Sequence, residues 1–308
     1  MTNYKIAGFD LPNLSQEDTL CRVLSSALNS RLGKQKEERE NVLLFSYWDV
    51  NYFSLDRVKI FLHSTPEEQA EILHLCNCGL LEEAYFIEKA GVGYMAKMVA
   101  LAETTEERML YALFSADEAT HLAQINRFLP YNKLVETDNP FLRLLEDVVE
   151  SQDKAVLLFV LQVVLEGWGL SHYRNLAKQC QNSNLSSVLS VFLQDESRHH
   201  GTGVKLFDRM TLAKSSQETI IQTLTLFLQM VQVGPQSVVA AIEKVKGYLS
   251  RSQKVQIFQE LDTENHSGSR LLTLRSLMRN PHAGVIVEEL ETRGAFQPFP
   301  VEKCIFSY

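Results

Sequence analysis

A chain of 308 residues with 45% apolar residues holds enough material for a sizeable core, in one large domain or two. Its formal net charge of −8 sets the summed field against nucleic acid, anionic membrane surfaces and acidic carrier proteins as partners. No apolar run reaches the roughly 18 to 20 residues that span a bilayer, and residues 1–10 lack the basic and apolar regions of a signal peptide, so a soluble cytoplasmic protein is expected.

Glycine (14) and proline (8) are sparse, and apolar residues recur every three or four positions, as over 72–98 and 156–170. The class is therefore all-α. A helix is expected over 17–32, then a charged stretch at 34–40 that reads as a solvated turn or helix face, then an aromatic-rich segment at 45–61. Ser64, Thr65, Pro66, Glu67 and Glu68 mark a helix start, with a capping hydroxyl, proline at an early helical position and acidic residues in the first turn. That helix should run to about 102. Thr104 followed by Glu107 has the capping-box spacing, so a second helix should run from there to about 127 and form a hairpin with the first.

Residues 129–140 read as a connector, 141–150 as a short helix within a crossover, and 153–179 as a third long helix. After turn and cap formers at 180–184, a fourth should run to about 210. Further helices are expected over 217–233, 236–249, 252–261 and 267–279, with an irregular tail from Gly294. The organisation predicted is a single all-helical domain, with an N-terminal extension (1–65), a four-helix core (66–212) and a C-terminal extension (213–308). The five cysteines, Cys21, Cys76, Cys78, Cys180 and Cys304, follow no disulfide or zinc spacing and read as reduced thiols. Cys76 and Cys78, two apart on a helix, point in different directions.

The chemistry lies in an internal repeat. At a constant offset of 78 residues, and without a gap, Glu88, Gly91, Phe114, Asp117, Glu118 and His121 fall on Glu166, Gly169, Phe192, Asp195, Glu196 and His199. Each half reads Glu, then an Asp-Glu-x-x-His whose Glu lies 30 residues on. The capping position Thr104 falls on Asn182, so the hairpin turn repeats as well.

Helix geometry explains the spacing. Glu88 and Glu118 lie equally far from the turn at Glu103, so a rise of about 1.5 Å per residue brings them to similar heights on facing arms. Within each Glu-x-x-His, residues at i and i+3 share a helix face and can reach a common point. Glu88 sits among Ala84, Tyr85, Val92 and Met95, and Glu166 among Val163, Leu170 and Tyr173, on faces that read as buried. Two hairpins packed face to face would place four carboxylates and two imidazoles in a dry core, where their charge is costly without cations. Two divalent ions balance four carboxylates, and oxygen with imidazole suits iron or manganese better than a thiolate-seeking metal. His63, His74, His172, His200, His266 and His282 read as structural or exposed.

These six positions resemble the ferritin-like di-iron carboxylate superfamily, in which two helices each give a Glu and two each give a Glu-x-x-His. The resemblance covers roughly 73–210. It implies two iron ions, with manganese or a mixed manganese and iron pair as variants, held by Glu88, Glu118, His121, Glu166, Glu196 and His199. Glu118 and Glu196 would bridge the ions and carry the catalytic role, with Glu88 and Glu166 more terminal. Asp117 and Asp195 are similar to aspartates that hold a ligand histidine through its second ring nitrogen. Gly91 and Gly169, three residues after the single-Glu ligands, would either serve close helix packing or leave room beside the metals for dioxygen and an organic substrate.

The chain departs from two patterns in the superfamily. Radical-bearing ribonucleotide reductase small subunits have a tyrosine four residues after the first ligand histidine, where Ile125 stands. N-oxygenases of this type add a histidine four residues before the second-half glutamate, where Phe192 stands. The resemblance then implies an oxidoreductase that activates dioxygen to oxidise a small organic substrate by hydroxylation, desaturation or related chemistry, with an electron donor the sequence does not name. The alternative is a ferroxidase or iron-storage protein. Storage ferritins are little more than the bundle, whereas the flanking segments here suit added walls, a lid or a homodimer interface.

Overall fold

In a computed structural model the described residues are 5–15, 17–32, 46–129 and 139–305. Among them there is no strand, and the helices are α1 (Thr19–Leu32), α2 (Lys59–Leu62), α3 (Pro66–Leu101), α4 (Thr105–Ile125), α5 (Pro140–Glu150), α6 (Lys154–Gln179), α7 (Ser183–Phe207), α8 (Lys214–Gln232), α9 (Gln236–Lys246), α10 (Arg251–Glu260), α11 (Thr263–Leu277), α12 (Gly284–Thr292) and α13 (Val301–Cys304). The four long helices start and stop close to where caps and turn formers predict. The charged stretch at 34–40 and most of the connector at 129–140 lie outside the described residues. The sequence reading omits α12, and α13 interrupts the tail expected to be irregular.

The chain forms two compact units. One comprises Met1–Phe45, Leu81–Thr137 and Leu145–Glu150; the other comprises Ser46–Leu80, Asp138–Leu144 and Ser151–Tyr308. Helices α3 and α5 each contribute to both.

In the first unit the second half of α3 pairs with α4. Thr104 caps α4 by accepting from the Glu107 backbone N–H at 3.1 Å, as its spacing predicts. The Glu107 carboxylate accepts from the N–H of Glu103, one residue short of the full capping box. The N-terminal segment lies along α3, with the Ile6 N–H donating to Glu150 and the Lys89 ammonium donating to the carbonyls of Leu11 and Phe9. Gly93 makes that approach possible, because a methyl group there would collide with the Ile6 carbonyl. Helix α1 buries none of its residues and is tied to α4 by an Arg31–Asp117 ion pair of 3.2 Å.

In the second unit α6 and α7 form the corresponding hairpin. Asn182 caps α7 through the Leu185 N–H at 2.9 Å, and Ser186 Oγ donates to the Ala177 carbonyl across the turn. Asn77 bonds both the N–H and the carbonyl of the buried Trp48, whose indole N–H donates to the Leu176 carbonyl at 2.9 Å. The C-terminal helices close over α8 and α9, where Gln232 donates to the carbonyls of Gly294 and Gln297 and Gln236 to that of Cys304.

Helix α6 differs from the regular helix predicted. Residues Leu157–Glu166 form a π-helix, and every residue from 157 to 164 is buried. A helix apolar on all sides belongs in a protein core or a membrane. By length and composition Lys154–Gln179 would span a bilayer, with mean hydropathy 1.5 over its most apolar window, but 61% of that window is buried inside the protein, as in a core helix.

Candidate metal centre

Glu88, Glu118 and His121 belong to the first unit. All are buried, at 1%, 4% and 1% exposure, and one ligand atom from each lies within 4.8 Å of the others. Glu88 Oε2 stands 3.1 Å from His121 Nδ1. Glu166, Glu196 and His199 belong to the second unit, and their ligand atoms fall within the same 4.8 Å limit. Here Glu196 Oε2 stands 3.7 Å from His199 Nδ1. Glu196 and His199 are buried, whereas Glu166 is half-buried.

The arrangement fits a metal ion in each triad. Two atoms bound to one ion at about 2.1 Å each can stand no more than about 4.2 Å apart, and both carboxylate–imidazole pairs meet that condition. In both triads Nδ1 is the nitrogen that faces the carboxylate, which leaves Nε2 for an outer partner. Each triad carries two carboxylates and one imidazole, so one divalent cation would neutralise it. Lys89, the cation next in sequence to Glu88, is turned to the N-terminal segment instead. All six predicted ligands thus lie in convergent groups, three of them from each unit, and no thiol is among them.

The two aspartates that precede the Glu-x-x-His pairs have arginine partners. Asp117 pairs with Arg31 from α1, and Asp195 pairs with Arg198 one turn on. The interaction with Arg31 joins residues far apart in sequence and had no local signal.

The paired glycines divide. A methyl group at Gly91 would stand 2.7 Å from the carboxylate carbon of Glu118 and collide with its Oε2, so the space beside this glycine is taken by a candidate ligand and its geometry is that of close packing, one of the two roles expected for it. Gly169 has no neighbour within 4 Å of the corresponding position, so the space exists there.

In the second unit Gln162 was missed, and its partner His200 was read only as structural or exposed. Gln162, fully buried within the π-helix, donates through Nε2 to the His199 carbonyl at 3.1 Å. His200 Nδ1 lies 2.8 Å from the Gln162 carbonyl and must carry the proton, because a carbonyl only accepts. The available signal was Gln162 itself, the lone polar residue in an apolar run and four residues before Glu166.

Comparison of the chain with protein-family models, with characterised proteins and with solved structures finds no match in any of the three.

Proposed function

We propose that the protein is a ferritin-like di-iron oxidoreductase whose iron would be held by Glu88, Glu118 and His121 in one unit and by Glu166, Glu196 and His199 in the other, and would activate dioxygen to oxidise a small organic substrate. The observation that carries this reading is the repeated triad, with two carboxylates and an inward-facing Nδ1 in each unit. When bound, iron supplies the redox chemistry with dioxygen. The chain's own residues hold the ions and neutralise them, while the apolar side chains around them exclude water. Asp117 and Asp195 are assigned to orient the imidazoles from outside while paired with Arg31 and Arg198.

Gly169 supports an organic substrate over iron alone. The open space beside Gly169, one turn from the half-buried Glu166, is where we place the approach of such a substrate, which iron binding by itself does not require. The test is anaerobic loading with ferrous iron followed by exposure to air under optical spectroscopy, with excess iron in a parallel sample. A defined ferric spectrum without mineral growth supports the enzyme. A soluble multimer that accumulates a ferric mineral core would support the ferroxidase alternative.

A further inference from the structure

Around the second triad the repeat breaks in a coordinated way. Gln162, Gly167, His200 and Gly203 fall, at the offset of 78, on Ala84, Lys89, Leu122 and Ile125. Where the first half has a small residue on one helix and a large one on the other, Ala84 and Ile125, the second half has the large Gln162 and no side chain at Gly203. The exchange is used: a methyl group at Gly203 would collide with Gln162 Cβ and stand 3.2 Å from its Cδ. Gly167 makes room likewise for His200, whose Cε1 would lie 2.8 Å from a methyl group there.

The two glycines therefore seat two side chains that tie α6 to α7 in opposite senses. The Gln162 side chain donates to the backbone of the ligand His199, and the Gln162 backbone accepts from the side chain next to that ligand, His200. Gln162 also precedes the ligand Glu166 by four residues, close to one turn of an i→i+5 helix, within the π-helix that Glu166 ends. It thus links the helix stretch carrying Glu166 to the backbone carrying His199. An unpaired carbonyl and amide in this core would be expensive, so the alternatives to this arrangement are few.

We propose that Gln162 is the positioning residue of the second triad, setting the Glu166–His199 geometry for its ion, and that His200 locks Gln162 in place. This rests on the metal reading above. The experiment is anaerobic ferrous titration of wild type, Gln162→Met and His200→Ala, with thermal unfolding of each metal-free protein alongside. Methionine keeps the length of the side chain and removes its hydrogen bond. Gln162→Met should weaken one of the two ions by about 10- to 100-fold and leave the other near wild type, with His200→Ala weakening the same ion less. Lower metal-free stability with both ions bound as in wild type would mean that the contact only packs helices, and would overturn the proposal. If Gln162→Met fails to fold, His200→Ala decides alone: selective weakening of one ion upholds the assignment, and wild-type binding of both ions overturns it. Absence of metal binding by wild type would overturn the metal reading and this inference with it; binding by wild type that both variants match would overturn this inference alone.

Discussion

The two halves of the repeat carry the same candidate ligands on different scaffolds. In the first, Glu88 lies on a regular α-helix, is 1% exposed, and its neighbouring glycine is covered by the Glu118 carboxylate. In the second, Glu166 ends a π-helix, is half-buried, and its glycine faces open space. Repetition of a ligand pattern therefore specifies donors and their spacing from a turn, but it does not specify access. The segment between Glu166 and the turn, Gly167–Gln179, is regular α-helix, so the π-helix leaves the height of the ligand above the turn unchanged.

The largest expected effect comes from the buried carboxylates of the two Glu-x-x-His pairs. Glu118→Ala and Glu196→Ala should each lower metal content, measured as metal per chain after desalting. Retention of two tightly bound ions by either variant would show that its carboxylate is not a ligand.

The glycines give the sharpest contrast between the halves. Gly91→Leu should displace Glu118 and lower metal content. Gly169→Leu should keep its metal but slow oxidation of the organic substrate, once one is identified, while reaction of reduced iron with dioxygen continues. Metal analysis with stopped-flow oxidation separates the two. Equal metal loss in both variants would remove the distinction between a closed half and an open one.

A pH effect should also belong to one half only. His172 falls on Tyr94 in the repeat, and burial, with a contribution from Arg270, pushes the His172 pKa down from 6.5 to about 4. Between those values the unfolded chain binds more protons than the folded one. The stability contributed by neutral His172 is thus complete above pH 6.5 and is lost as pH falls toward 4. His172→Gln should flatten that part of the pH–stability curve of the metal-free protein, read by denaturant unfolding, and an unchanged slope would contradict the assignment.

The smallest effect tests what the halves share. Thr104→Ala and Asn182→Ala each remove one capping acceptor and should cost about 1 kcal/mol in chemical denaturation. A much larger cost at one site would show that its turn does more than cap a helix.

Much of this arrangement was legible in the sequence because it depends on local rules. Pro66, Thr104 and Asn182 mark helix starts through their own backbone chemistry, and ligand spacing follows from helical rise. The π-helix was not legible, since residues 157–164 are buried all round and leave no polar face from which to read a period. Helix α12 was missed: it follows Pro281 and begins at Gly284, residue types that ordinarily break a helix. Arg31 on Asp117, and the seating of Gln162 against Gly203, join positions far apart in the chain that no local pattern relates. The division of the glycines depends on which side chain fills each space, which spacing alone does not determine.

The central claim is that each triad holds one metal ion. Its most direct test is anaerobic titration of the metal-free full-length chain with ferrous iron, followed by metal analysis of the desalted protein. The account predicts saturation at two ions per chain; saturation below one, or two ions that survive simultaneous replacement of His121 and His199 by alanine, would contradict it.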